Sequence, residues 1–344
     1  MRRPLRTHGY RAAAAAALAC ALTAASQQGA QADPRTLTEV QNKLKNLYHQ
    51  AEVATDKYNA ADGKVKAQKK RVNSLNSQVH TAEAKLTRLT SLAGATARAQ
   101  YRSGSVPVEL QFALSSDPAR ALDNAGLALQ AQQNTQNLLT DLKTTKSALR
   151  THTDEAAAEL KRLRASRHAM ATQRRTIEQH IAEAKALESS LAAKEKARLA
   201  DLEKKESDRA QTKWKSTGIL KKVGTDATTA GEKAIAFAVK QIGKPYVWGA
   251  EGPNSYDCSG LTSQAWQAAG VTIPRTSETQ WARLKHVPIE DMRPGDLIIY
   301  FSDASHVAIY VGGGNIISAP RPGRNVYESP AASMRILGVV RPDA

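Results

Sequence analysis

The 344-residue chain has few cysteines and few aromatic side chains: two cysteines and three phenylalanines. Since Cys20 lies in a predicted export signal, the exported chain would hold a single thiol, Cys258, and no internal disulfide. After residue 32 no stretch approaches the roughly 20 apolar residues of a transmembrane helix. The sequence contains no metal-ligand constellation, and the glycine run 312–314 lacks the spacing and the following helix of a phosphate loop. We therefore expect neither a metal nor a cofactor.

The first 32 residues have the features of a secretion signal. Four arginines within the first 11 residues precede an apolar run at 12–25, and residues 30–32 (Ala-Gln-Ala) form a small-x-small cleavage site. Cys20 leaves a lipoprotein anchor as an alternative, although Ala17 stands where a large aliphatic residue is usual. We expect a secreted protein that is located in the cell wall or at the cell surface.

Positive charge is concentrated in the middle of the chain. The net charge of the whole chain is +17, of which residues 33–230 carry +12 and residues 231–344 carry +1. In an exported protein nucleic acid is not the expected partner, and such a surface suits anionic wall polymers or lipid head groups. Solvated helix faces without a dedicated partner are the alternative.

Residues 37–93 carry a heptad pattern. Apolar side chains alternate at spacings of three and four, and only Gln68 interrupts the series. The pattern predicts a coiled-coil helix. Because proline is absent from residues 35–106, this helix would run unbroken for roughly 100 Å.

A second long helix is predicted after a short bend. Residues 103–107 (Ser-Gly-Ser-Val-Pro) end the first helix, and Pro118 is typical of the first position of the next, which we expect to run to about Trp214. Apolar residues recur every seven positions over 142–191. Two long helices joined by a bend predict an antiparallel hairpin, and a dimeric coiled coil is the alternative.

The chain is predicted to divide into four parts: a signal peptide (1–32), a coiled-coil hairpin (33–214), a linker (215–230) and a compact C-terminal domain (231–344). The linker lacks an apolar period. In the last domain helices come first and strands follow, which predicts an α+β fold with an antiparallel sheet. The predicted helices are 234–242, 261–269 and 276–284, and the predicted strands are 296–300, 307–311, 315–318 and 336–340.

Cys258 lies between a turn-rich segment and a predicted helix. A cysteine at a helix N-terminus is close to the positive end of the helix dipole, which favours the nucleophilic thiolate. The alternative is a buried structural cysteine, because a free thiol packs as a small apolar group. Two histidines of the C-terminal domain are candidates for an activating base. His306 opens an apolar strand beside a turn, whereas His286 lies in a charged loop, so His306 is the better candidate.

Five short motifs follow one another in the C-terminal domain. They are Pro245-Tyr246-Val247-Trp248-Gly249, Asp257-Cys258-Ser259-Gly260-Leu261, Pro274-Arg275-Thr276-Ser277, Arg293-Pro294-Gly295-Asp296-Leu297 and His306-Val307-Ala308-Ile309-Tyr310-Val311-Gly312. In this order they resemble the NlpC-type cell-wall endopeptidases, which are papain-like cysteine peptidases of bacteria. The resemblance covers essentially all of residues 231–340, and the export signal and the coiled coil are similar to those of actinobacterial members.

The resemblance implies that Cys258 is the nucleophile and His306 the general base of a peptidase that cuts peptidoglycan stem peptides, commonly at the D-glutamyl–diaminopimelate bond. It also implies that the Tyr246 hydroxyl serves a substrate carbonyl or the oxyanion, and that Asp257 and Ser259 hold the amine and backbone of the stem peptide. Acyl transfer needs a thiolate, a base and oxyanion donors, and the Cys258 N–H can be one donor. Because an inward-pointing Asp257 would raise the thiol pKa, we expect it to face substrate.

The sequence departs from the family at the third catalytic position. A His, Asn or Gln usually stands on the strand after the base, and here Ser318 occupies that place. A serine hydroxyl can accept from the imidazole N–H, but its shorter reach would orient His306 less firmly. A water molecule or a backbone carbonyl is the alternative partner.

The length of the hairpin suggests a role beyond tethering. We expect it to restrain the peptidase or to dock a membrane partner of a division complex. One alternative function is a catalytically weak or inactive adaptor that binds wall peptide or a membrane partner. Another is a thiol acyltransferase or amidase on the same scaffold.

Overall fold

The computed structural model of the protein describes residues 36–102 and 118–344. The predicted signal peptide (1–32) and the bend at 103–107 lie outside these residues. Three helices precede the C-terminal domain, and none of the described helices is long and apolar enough to cross a bilayer. These three helices are α1 (Leu37–Arg102), α2 (Pro118–Ser190) and α3 (Ala193–Ser216).

The first two helices pack side by side in opposite directions. The Tyr48 hydroxyl near the start of α1 donates to Glu188 near the end of α2 (3.0 Å), whereas Arg71, further along α1, pairs with Glu155 earlier in α2 (3.4 Å). The antiparallel hairpin predicted from the heptad pattern is thereby confirmed. The apolar seam positions that are buried in its two arms include Leu75, Leu163, Ile177 and Ala184.

The second helix does not continue to Trp214, and this prediction was wrong. It ends at Ser190, and Ala192 takes the N-cap position of α3 with an extended backbone (φ −65°, ψ 156°). The backbone N–H of Ala192 donates to the Glu195 carboxylate (2.9 Å), which replaces the hydrogen bond lost at the break. The heptad pattern missed the break because neither glycine nor proline marks it.

The chain after the break lies on the C-terminal domain. The Gln211 side chain of α3 donates to the Gly314 carbonyl (2.8 Å) and accepts from the Ala332 N–H (3.0 Å). Further on, in the predicted linker, the Gly224 N–H donates to the Met292 carbonyl (2.7 Å). The lower part of the helical region is therefore held against the sheet by specific hydrogen bonds.

The C-terminal domain is an antiparallel six-stranded sheet with helices packed on it, as the α+β prediction required. The strand order is β1-β6-β2-β3-β4-β5, and each neighbouring pair is antiparallel. The helices are α4 (Thr229–Val239), α5 (Cys258–Ala268) and α6 (Ser277–Arg283). The strands are β1 (Lys285–Val287), β2 (Leu297–Tyr300), β3 (His306–Gly312), β4 (Asn315–Ser318), β5 (Tyr327–Pro330) and β6 (Ile336–Arg341).

Two strands of this sheet were not predicted. The outer strands β1 and β5 are short and mostly exposed. Their sequences carry charged or polar residues at most positions, so they lack the apolar alternation that indicates a half-buried strand. The central strands β2 and β3 are apolar and almost entirely buried, and they were predicted for that reason.

Both faces of the central sheet are covered. One face packs against α4 and α5, where Leu261 and Trp266 meet Val307 and Ile309. On the other face the cluster around Tyr310 contacts Trp214 and residue 223, which follow from the helical region. The N-terminus of α5 meets the sheet at the start of β3, and the candidate active site lies at this end of the strand.

Candidate active site

Cys258 is the first residue of α5, and its sulfur lies against the start of β3. The preceding residue, Asp257, caps the helix by accepting from the Gly260 N–H (2.6 Å). The Val307 backbone N–H donates to the Cys258 sulfur. The fold thus brings the thiol to the residue next to His306, although the two lie 48 positions apart in the chain.

The Cys258 thiol is not activated in this arrangement. Burial raises the pKa of Cys258 well above its ordinary value, and the nearby carboxylates of Asp257, Asp56 and Glu52 raise it further, against the lowering effect of the Val307 N–H. Burial and these three carboxylates oppose the helix N-terminus, which favours the thiolate. A protonated thiol is a poor nucleophile.

His306 opens β3 and is fully buried. Its Nδ1 lies 3.2 Å from Oε1 of Glu52, a residue of α1 that is itself buried. The carboxylate is close enough for an ion pair but is not aligned for a hydrogen bond. Among the described residues neither ring nitrogen of His306 has a hydrogen-bond partner. The carboxylate of the hairpin therefore takes the place beside the candidate base.

Ser318 ends β4 on the strand next to β3. The register pairs Ile309 with Ile317, so Ser318 stands across from Ala308 and on the same face of the sheet as His306. The Ser318 hydroxyl is buried, and no hydrogen-bond partner for it is found within residues 36–102 and 118–344. The hydrogen bond from His306 to Ser318 that the sequence suggested is thus not formed in this state.

The remaining histidine of the domain lies elsewhere. His286 is on the exposed outer strand β1, where its ring stacks on Trp281 (3.8 Å between centroids) and its Nε2 is 2.7 Å from the Trp281 carbonyl. Tyr246, in contrast, is buried near Cys258. Burial raises the pKa of Tyr246 well above its usual value, and Cys258 and Glu52, when ionised, raise it further. Its phenol therefore stays protonated and can act as a donor.

Asp257 and Ser259 are fully buried and both contact Arg275. The guanidinium donates to Asp257 Oδ2 (2.7 Å) and to Ser259 Oγ (2.9 Å). We expected Asp257 to face substrate and not to raise the pKa of the thiol. In the structure its carboxylate is one of the groups that raise the pKa of Cys258. Its Oδ2 also accepts from the Asn59 side-chain amide of α1 (3.0 Å). This oxygen therefore faces the surface on which α1 lies.

Helix α1 covers this surface with one polar face. Glu52, Thr55, Asp56 and Asn59 are all buried and recur at helical spacing. Asp56 accepts hydrogen bonds from the hydroxyl of Ser277 and from the backbone N–H of Glu278 (3.3 Å) at the start of α6. A helix of the hairpin therefore reaches all three parts of the site: α5, α6 and the start of β3.

Further contacts hold α1 on either side of this face. His49 is 3.2 Å from the Asp303 carboxylate and packs on the ring of Phe301. Tyr58 meets Trp248 edge to face, with 5.1 Å between ring centroids. Sequence analysis missed this face because a heptad pattern assigns such polar residues to solvent. Glu52 and Asp56 are two of the five acidic residues of α1, so their charge does not set them apart in the sequence.

The sequence model of the NlpC/P60 family matches residues 243–336. The C-terminal domain belongs to the NlpC/P60 family. The matched segment runs from the end of α4 to the start of β6 and includes Cys258, His306 and Ser318. The helical hairpin lies outside it.

The NlpC/P60 domain is similar to parts of proteins named probable endopeptidases. It is 46% identical over 115 residues to the probable endopeptidase Cgl2188 of Corynebacterium glutamicum. These residues are 33% of this chain and 55% of that protein. It is 45% identical over 91 residues to the probable endopeptidase p60 of Listeria monocytogenes. These residues are 26% of this chain and 19% of that protein. The chain thus spans about half the length of the corynebacterial relative and about a fifth of the listerial one.

Among solved structures, the NlpC/p60 domain of peptidoglycan hydrolase SagA is 34% identical, with 32% of this chain and 97% of that chain covered and a TM-score of 0.31. Rv1477, a hypothetical invasion protein of Mycobacterium tuberculosis, is 35% identical, with 33% and 62% covered and a TM-score of 0.30.

Asp56 makes the docking of α1 depend on pH. Burial, followed by the charges of Asp257 and Glu278, raises the pKa of Asp56 from 3.8 to about 8, against the lowering effect of its hydrogen bond from Ser277. Docking therefore takes up a proton, so the docked state is most stable below about pH 4 and loses stability as the pH rises towards 8. An asparagine could keep both hydrogen bonds without titrating.

We expect Asp56→Asn to remove this pH dependence. The readout is the rate at which a thiol reagent labels Cys258 in the chain that starts at Asp33, where Cys258 is the single thiol. The ratio of the parent rate to the Asp56→Asn rate cancels the titration of the thiol itself. The ratio should be close to one near pH 4 and rise at least about tenfold by pH 8. A ratio that stays constant over this range would contradict the prediction.

Proposed function

We propose that the protein is an exported cysteine endopeptidase that hydrolyses peptide bonds in peptidoglycan stem peptides, at the D-glutamyl–diaminopimelate bond, and that its hairpin holds it closed. The observation that supports the proposal is that the Cys258 thiol lies against the start of β3, the strand that His306 opens. The carboxylates of Glu52 and Asp56 from α1 lie beside this place. The similarity to proteins named probable endopeptidases supports it.

The chemistry follows from the placement of these groups once α1 has left. His306 takes the proton of Cys258, and the sulfur attacks the carbonyl carbon of the scissile bond. The Cys258 N–H at the helix start and the Tyr246 hydroxyl stabilise the oxyanion. His306 then gives the proton to the leaving amine, and water hydrolyses the acyl-enzyme to free the thiol.

The hairpin opposes this chemistry in two ways. Glu52 and Asp56 fill the place that a peptide would need beside Cys258. They also raise the pKa of the Cys258 thiol, so their departure lowers it and activates the nucleophile. Displacement of α1, for instance by a membrane partner that binds the hairpin, would thus open and activate the site in one step.

A catalytically inactive adaptor is the second candidate function. The observation that favours it is the Ser318 hydroxyl, which makes no hydrogen bond to His306 in the part of the chain that the structure describes. An adaptor would bind wall peptide after α1 has moved and would release no product.

Product analysis tests the proposal. Purified peptidoglycan is digested with the chain that starts at Asp33, and the soluble products are sequenced by mass spectrometry. We expect fragments with a new amino terminus on diaminopimelate and a matching carboxyl terminus on D-glutamate. Release of ammonia alone would indicate an amidase, and transfer to an added amine would indicate an acyltransferase. Either outcome would overturn the endopeptidase assignment.

A further inference from the structure

A cavity lies beside the candidate active site, between the hairpin and the NlpC/P60 domain. Its volume is about 760 Å³, and its wall includes Glu52, which contacts His306, together with Arg321 and Arg324 from the loop after β4. The two arginines and Glu52, which lies beside the candidate base His306, thus line the same cavity.

Both arginines are paired with carboxylates of the helical region. Arg321 contacts Glu188 of α2 (3.2 Å) and Glu203 of α3 (3.5 Å), and Arg324 contacts Glu203 (2.8 Å). The Arg321 guanidinium also lies over the ring of Tyr48 of α1, 4.2 Å from its centroid. The side chains of Arg321 and Glu203 are each only about a quarter exposed or less. Arg321 is therefore a partly desolvated cation with several contacts, whereas Arg324 is about half exposed and, among the described residues, pairs with Glu203 alone.

The positions along α1 show where the arginines stand relative to the reacting atoms. Tyr48 meets Arg321, Glu52 meets His306, and Asn59 meets Asp257. At 1.5 Å per residue, Tyr48 precedes Glu52 by about 6 Å, and Asn59 follows Glu52 by about 10 Å. Arg321 and Asp257 therefore lie on opposite sides of the candidate catalytic pair. If Asp257 holds the amino end of the stem peptide, the arginines lie on the side of the leaving group.

We propose that Arg321 and Arg324 form a carboxylate-binding subsite for the leaving part of the stem peptide, and that Glu188 and Glu203 occupy this subsite while the hairpin is docked. The inference rests on the proposed function and specifies how the same cleft selects its substrate. A stem peptide carries free carboxylates beyond the scissile bond, and a guanidinium binds a carboxylate through two parallel N–H donors.

The hairpin carboxylates support this assignment because they act as internal ligands. At four positions an acidic side chain of the helical region lies against a polar group of the NlpC/P60 domain: Glu52 against His306, Asp56 against Ser277, and Glu188 and Glu203 against the arginines. An acidic substrate would compete for the same groups. The alternative is a docking latch, meaning that the two arginines only hold the hairpin in place through Glu188 and Glu203 and do not bind substrate. This alternative predicts a different result.

The test uses the chain that starts at Asp33 with Asp56→Lys, in which we expect α1 to be released. The substrates are L-Ala-γ-D-Glu-diaminopimelate and the same peptide with the carboxylates of diaminopimelate converted to amides. In this chain, Arg321→Gln and Arg324→Gln should each raise KM for the acidic peptide about tenfold and leave kcat within about twofold. The amide should show less than a twofold change. Arg283→Gln, at the exposed end of α6, is the control and should change neither.

Each outcome decides between the subsite and the latch. Suppose that the arginine variants make the chain without Asp56→Lys more active and leave KM of the released chain unaltered. In that case the arginines only hold the hairpin in place, and the subsite proposal is wrong. If no released chain cleaves either peptide, the proposed function fails, and calorimetric binding to the released Cys258→Ala chain decides the inference separately. Tighter binding of the acidic peptide that is lost in Arg321→Gln supports the subsite; equal binding of the two peptides overturns it.

Discussion

Replacing Asp56 by lysine is expected to raise the hydrolytic activity of the chain that starts at Asp33 about a hundredfold at neutral pH. In the docked state Asp56 is 1% exposed and accepts hydrogen bonds from the Ser277 hydroxyl and the Glu278 N–H. A lysine there would bury an ammonium against two hydrogen-bond donors. Such a change costs about 3 kcal/mol or more, and each 1.4 kcal/mol shifts the balance of docked and released states tenfold.

The matched control for this variant is Glu83→Lys. It makes the same change of charge in α1, but Glu83 lies in the exposed distal part of the helix. We expect it to leave activity unchanged within about twofold, since exposed surface substitutions have small effects. Labelling of Cys258 by a thiol reagent gives a second readout, and it should accelerate in Asp56→Lys only. Faster labelling without faster hydrolysis would show that docking of α1 does not limit the reaction.

Replacing Cys258 by alanine in the Asp56→Lys chain is expected to abolish hydrolysis, with a loss of about 10⁴-fold or more. The sulfur is the thiol that the fold brings to the start of β3, where it accepts from the Val307 N–H. Product formation is followed by mass spectrometry of digested peptidoglycan. The fold should persist, because alanine keeps the helix start and removes a single buried atom.

A control on the same helix separates chemistry from packing. Ser263 is buried in α5, and its hydroxyl donates to the Gly260 carbonyl (3.1 Å), so Ser263→Ala removes a polar atom without touching the site. We expect its turnover to stay within about threefold of the released parent. Residual cleavage by the Cys258→Ala chain would assign the reaction to another residue. Absence of cleavage already in the Asp56→Lys parent, with Cys258 accessible, would favour the adaptor function.

While α1 lies on the site, the candidate catalytic groups are not arranged for proton transfer from Cys258. In the docked state the pKa of the Cys258 thiol is raised, and in the described residues His306 and Ser318 make no hydrogen bond through their side chains. Helix α1 contributes to two of these properties, because Glu52 stands beside His306 and two of the carboxylates near the thiol belong to the hairpin. Under the proposed function, the departure of the hairpin would therefore change the surroundings of both Cys258 and His306.

The sequence by itself determined the classes of structure and the candidate groups. The heptad pattern of residues 37–93 predicted a long helix in an antiparallel hairpin, and the apolar strands β2 and β3 predicted the centre of the sheet. Both signals are local periodicities, which depend on backbone geometry alone. The position of Cys258 at a helix N-terminus was visible for the same reason.

The tertiary structure decided what covers the site and how its groups titrate. The break at residues 191–192 is marked by neither glycine nor proline in the sequence. The docking of α3 on the sheet and the burial of Glu52, Asp56 and Asn59 depend on contacts between residues more than 100 positions apart. Along the chain these acidic residues are indistinguishable from solvated positions of a heptad. A pKa depends on burial and on neighbouring charges, so the raised pKa of the Cys258 thiol follows from the folded arrangement and not from the sequence pattern.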